Sequence, residues 1–175
     1  RSIPIGIGAN CHIEGAIQIW RPDYEGNPKG WNGVTDNVMK PEEFTGFAQK
    51  LGINHDSVVV LYDHKYDATR VWWAFTYYGK SNVRVLDGGI KAWSNAGYDT
   101  ETFGKGKAKG KGNWTATIAV PTLRATTEEI AGLKTRTDAQ LWDNRASDEF
   151  CGDTVKAGAF RAGRIAWGVQ ADWPL

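Results

Sequence analysis

Two kinds of hydrophobic pattern alternate along this chain. DSVVVLY (56–62) is an unbroken apolar run of strand length, as expected of a central parallel strand covered on both faces. NVRVLDGG (82–89) is a second such run, ending in a glycine turn, and AIQIW (16–20) is short and strand-like. Helical spacing predicts helices over PEEFTGFAQKLGI (41–53), ATRVWWAFTYYGK (68–80) and IKAWSNAG (90–97). The first has Pro41 at its opening position and Glu42 and Glu43 in its first turn, and Gly52, Gly79 and Gly97 mark the three ends. Strands alternating with helices predict an α/β fold on a parallel sheet.

After GKGKAKGKG (104–112) the pattern begins again. WTATIAV (114–120) reads as an extended arm, TEEIAGLK (127–134) as a helix and AQLWDNR (139–145) as a strand, followed by SDEFCG. The expected organisation is a domain over 1–103, a linker over 104–125 and the incomplete beginning of a second domain over 126–175. The lysine–glycine run reads as a flexible solvated linker or as a docking patch for an acidic partner. CHIEGAI (11–17) and GRIAWGV (163–169) share a basic residue, an isoleucine and a glycine-containing turn, which suggests duplication.

The polar loop that follows 56–62 lies between a strand end and a helix start, where unpaired backbone N–H groups form an anion cradle. From Asp63 to Arg70 it contains neither cysteine nor serine, and Asp63, at the strand end, is a poor nucleophile toward sulfur or phosphate. Asp63, His64 and Lys65 are candidates for acid–base or anion-binding work, against the plainer reading of a solvated loop. Arg70, in the first helical turn, is placed to pair with Asp63, with Asp67 or with a bound anion.

Composition narrows the classes. A net charge of +1 gives no reason to expect binding to nucleic acid or an acidic membrane, and no run approaches the ~18 apolar residues of a spanning helix. Charged residues at 23% and hydrophobic ones at 41% are those of soluble globular chains with a packed core. The chain begins with Arg1, so either a targeting segment, organellar for instance, has been removed or the sequence is an excerpt, and the compartment stays open. Cys11 and Cys151 fit no C-x-x-C spacing, and Cys11 beside His12 lacks the partners of a zinc site. Nine tryptophans are many for 175 residues. Trp72, Trp73 and Trp93 fit packed helix faces, whereas Trp20, Trp31, Trp167 and Trp173 fall in loop-like or terminal stretches and are candidate anchors for a protein partner.

The joint order of HIEGA, VVVLYD with RVWW, VRVLDGGIKAW and LWDNRASDEFCG resembles the rhodanese family, in particular tandem-domain thiosulfate and 3-mercaptopyruvate sulfurtransferases. The resemblance implies an open parallel sheet with helices on both faces, with Arg1 just past the first strand of the first domain. Family members carry sulfane sulfur on a loop cysteine, and tandem members commonly have aspartate there in the first domain. Asp63 takes that position, so Asp63, His64, Lys65 and Arg70 resemble a degenerate anion loop, and the working cysteine is expected beyond Leu175. Asp143 and Arg145 resemble the family's ion pair, with Arg145 bracing the active-site loop. Glu149 stands where mercaptopyruvate-type members carry arginine, which favours a thiosulfate-like donor and a thiophilic acceptor; no metal or organic cofactor is implied. In the second copy of the GHIPGA motif, Arg164 replaces histidine and Trp167 replaces glycine, departures that favour the alternative of a non-catalytic docking subunit.

Overall fold

The computed structural model describes residues 2–7, 11–26, 38–102, 106–156 and 159–172. Along the chain they divide between Leu123 and Arg124 into two compact units.

The first unit is built on a parallel sheet of β1 (Ser2–Ile7), β2 (Ile17–Ile19), β3 (Val58–Tyr62) and β4 (Val83–Val85), in the order β2-β1-β3-β4. Ile5 stands opposite Ile17 on one side and Leu61 on the other, and Leu61 opposite Val85. The sequence pattern assigns no strand to β1, because Pro4 and Gly6 interrupt its apolar run and proline argues against a central strand. Pairing on both sides is what makes it one.

Among the described residues, the α-helices of this unit are α1 (Arg21–Tyr24), α2 (Pro41–Lys50), α3 (Asp67–Tyr77) and α4 (Gly89–Asn95). Because side chains alternate across a strand, Val59 and Leu61 join Ile5 in the cluster formed with Phe44, Phe47 and Ala48 of α2 and Val71 and Phe75 of α3. Tyr62 turns to the other face, with Ile90 of α4 and Ala16. The sheet is thus covered on both faces. Phe44 is the hub of the larger cluster, with ring centroids 4.9 Å from Phe75 and 4.9 Å from Tyr78; full burial of such a side chain stabilises by about 1.5–3 kcal/mol.

The lysine–glycine run differs from a free linker. Lys107, Lys109 and Lys111 are exposed, but Gly106 donates its N–H to the Ala16 carbonyl at 3.1 Å and Gly112 to that of Gln49 at 2.8 Å. A Cβ on Gly112 would lie 2.1 Å from the Ile53 carbonyl oxygen, so the glycine is there for close approach of two backbones. The extended stretch that follows seats Trp114 in the core, 5.6 Å from the Phe75 ring.

The second unit contains α5 (Thr127–Gly132), β5 (Trp142–Asp143), α6 (Ser147–Cys151) and β6 (Val169–Gln170). A capping box starts α5, with the Thr126 hydroxyl accepting from the Glu129 N–H at 3.2 Å and the Glu129 carboxylate from the Thr126 N–H at 2.6 Å. β5 and β6 pair in parallel, Trp142 opposite Val169. None of this unit's described residues is buried.

Candidate functional site

The loop leaving β3 is organised around one side chain. Asp63 is 8% exposed, and its carboxylate accepts the Lys65 N–H at 3.0 Å on Oδ1 and the Ala68 N–H at 2.7 Å on Oδ2. Ala68 lies in the first turn of α3, so a fixed negative charge sits against the positive end of the helix dipole and satisfies amides the helix leaves unpaired. The N–H groups of Lys65 and Ala68 are thus taken up by the chain's own carboxylate.

Two neighbouring motifs shape the loop. The Asp63 carbonyl accepts the Ile90 N–H at 3.2 Å, and a Cβ on Gly89 would lie 2.3 Å from that carbonyl oxygen. Gly88 and Gly89 have φ of +69° and +57°, so the paired glycines of LDGG supply both the left-handed turn and the clearance against the loop. From the other side, the Ile13 N–H donates to the Tyr62 hydroxyl at 2.9 Å, tying the HIEGA turn to the last residue of β3. Burial pushes the Tyr62 hydroxyl above its usual range, opposed by that hydrogen bond. In the sequence, the signal for Tyr62 is a tyrosine at the end of a fully covered strand, whose buried hydroxyl needs a partner.

The candidate residues part company. His64 and Lys65 are exposed, and Lys65 serves the loop through its backbone N–H. Arg70 is aimed at α1, with Nη2 3.5 Å from Glu25 Oε1. In the second unit, Arg145 grips Asp143 through Nε at 2.9 Å and Nη2 at 2.6 Å, and Nη2 also donates to the Gly163 carbonyl at 3.0 Å. The Arg145 guanidinium holds the Asp143 carboxyl below the usual carboxylate range. Arg145 thus joins Asp143 to the first residue of the GRIAWG turn. Glu149 Oε2 lies 3.8 Å from Lys156 Nζ. Trp20 is 63% exposed and Trp167 half-buried; Trp31 and Trp173 lie outside the described residues.

Residues 9–96 match the rhodanese-like domain, which includes the HIEGA turn, the Asp63 loop and LDGG. The chain belongs to the rhodanese family. It is 38% identical over 145 residues to the thiosulfate sulfurtransferase YnjE of Escherichia coli, covering 82% of this chain and 32% of that protein. It is 30% identical over 175 residues to the sulfur carrier protein TtuD of Thermus thermophilus, covering 93% of this chain and 58% of that protein. The crystal structure of YnjE superposes with a TM-score of 0.79 at 33% identity, over 97% of this chain and 42% of that one. The chain thus spans about a third to three-fifths of the length of these curated relatives. The rhodanese fold, with its parallel sheet and flanking helices, is the one the sequence pattern and the resemblance predict.

Proposed function

We propose that this chain is part of a thiosulfate sulfurtransferase. Residues 1–103 are its non-catalytic rhodanese copy, 104–125 the connection, and 126–175 the beginning of a second copy whose cysteine lies outside this chain. The relatives named as a thiosulfate sulfurtransferase and a sulfur carrier support the reaction class. The observation that carries the reading is the Asp63 carboxylate seated on the Lys65 and Ala68 N–H groups at the end of β3.

That geometry supports a silent first copy. In the parent reaction a cysteine thiolate attacks the sulfane sulfur of thiosulfate. The S–S bond breaks and sulfite leaves with its electron pair. The resulting persulfide anion is stabilised by loop N–H groups until a thiophilic acceptor takes the sulfur and the thiolate returns. Here the same kind of N–H groups already hold a carboxylate, whose oxygens are poor nucleophiles toward sulfur. The loop supports its fold and leaves the chemistry to the second copy.

Asp63→Cys tests this. The variant is incubated with sulfane-labelled thiosulfate, and protein-bound label is measured after gel filtration, before and after cyanide. Label above the wild-type background, released by cyanide, is expected from a cradle that still fits sulfur. A folded variant with no label above background would point to the second reading, a rhodanese-like docking subunit. The exposure of Trp20 at 63% and of Tyr66 at 45%, beside the loop, favours that alternative.

A further inference from the structure

Between Gly106 and Gly112 the chain alternates with a period of two. Gly106 and Gly112 donate their N–H groups to the Ala16 and Gln49 carbonyls, and a Cβ on Gly52 would lie 3.2 Å from the Ala108 Cβ and 3.0 Å from the Gly110 carbonyl oxygen. The even-numbered positions, all glycine or alanine, thus meet the first unit. The odd-numbered ones, Lys107, Lys109 and Lys111, are exposed. Among the described residues none of these three lysines has an ion-pair partner. Alternate residues of a chain lie at most about 7 Å apart, so the three are neighbours in a row on a backbone held at both ends. No aspartate or glutamate occurs between Glu101 and Glu128, and the row concentrates one sign of charge in a chain whose net charge is only +1. A stretch that had only to be solvated would be served by polar side chains of either sign.

We propose that this row of lysines is a docking surface for an acidic segment of another polypeptide. Charge complementarity calls for an anionic partner, since three ammonium groups without local carboxylates repel one another and gain from a multivalent anion laid along them. A polypeptide suits the row because an extended chain with carboxylates at alternate positions has a similar repeat. Single-stranded nucleic acid is bound through arginines and aromatic rings on which bases stack, and the exposed side chains from Gly106 to Gly112 include neither. Because the backbone is already held, docking orders little besides the lysine side chains, which limits its entropic cost. This surface is independent of sulfur transfer and stands whether or not Asp63→Cys takes up label.

Fluorescence anisotropy of a short labelled peptide alternating glutamate and serine, titrated with the whole chain, provides the test. Binding is expected at about 20 mM salt and should weaken several-fold at about 300 mM, as screening of exposed charges requires. The triple variant Lys107→Gln, Lys109→Gln, Lys111→Gln should weaken it about tenfold or more, at roughly two- to fivefold for each exposed ion pair lost. A second triple variant, Lys40→Gln, Lys91→Gln, Lys134→Gln, removes as much charge at exposed positions outside the row and should bind within about twofold of the unaltered chain. Far-UV circular dichroism verifies that both variants fold. No binding with the chain at about 1 mM, or equal loss in the two variants, would mean a solvated stretch in the general field of the protein, and the proposal would fall. Tighter binding to an oligothymidylate of equal charge would point to nucleic acid and overturn it as well.

Discussion

The two units contain the same small piece of structure in different surroundings. In the first, the Ala16 N–H donates to the Ile13 carbonyl at 2.9 Å and β2 follows, paired in parallel with β1. In the second, the Gly168 N–H donates to the Ile165 carbonyl at 2.9 Å and β6 follows, paired in parallel with β5. The turn bond is the same although Gly15, with φ of +71°, corresponds to Trp167. Yet β1 has strands on both sides and a buried Ile5, whereas β5 pairs, among the described residues, with β6 alone and Trp142 is 60% exposed. Short-range sequence repeats a local geometry; burial depends on how many elements are present to cover it.

The widest gap is expected from core truncation. Phe44→Ala should cost about 3–5 kcal/mol, the range for removing a buried aromatic side chain. Trp142→Ala should change stability by no more than about 0.5 kcal/mol, as exposed positions do. Denaturant unfolding followed by circular dichroism compares them, and a large loss at Trp142 would mean that the second unit has a core after all.

Glycines give a sharper version. Gly112→Ala forces a Cβ toward the Ile53 carbonyl oxygen 2.1 Å away and should cost about 1–3 kcal/mol as the backbones separate. Gly132→Ala, at the end of α5 with nothing within 4 Å and φ of −68°, should stabilise by about 0.4–1 kcal/mol. Thermal melts of the pair read the signs directly. Two destabilised variants would break the contrast between a docked segment and an open one.

The smallest effect concerns the two structural aspartates. Asp63 is buried against backbone amides, whereas Asp143 is held by Arg145, whose side chain is 40% exposed. Because Arg145 depresses the folded-state pKa of Asp143, the pair's contribution is fully present above the ordinary value of 3.8 and is lost as pH falls through the lower folded value. Solvent screening keeps it to about 1 kcal/mol or less. An NMR titration of the Asp143 carboxyl carbon should move toward 3.8 in Arg145→Gln, and an unchanged titration would show that the guanidinium is not the cause.

Much of the architecture was legible because it is local. Pro41, the glutamates of the first turn and Gly52 bracket a helix seen over Pro41–Lys50, and the apolar run at 56–62 is the strand Val58–Tyr62. The loop could be located for the same reason, since a strand end and a helix start can be read from pattern. Its contents could not. That Asp63 is buried and spans the N–H groups of Lys65 and Ala68 depends on α4 closing over it through Gly89, and that Arg70 turns toward Glu25 depends on α1.

The sequence by itself determined the alternation of strands and helices, their caps and turns, the duplicated motif and the family, because each is carried by neighbouring residues or by motif order. Only the tertiary structure decided that the interrupted stretch Ser2–Ile7 is a central strand, that the glycines at 106 and 112 are points of backbone contact, and that Trp114 belongs to the core. These outcomes depend on pairing and burial between residues tens of positions apart, where the energy of closing on a partner outweighs local preference.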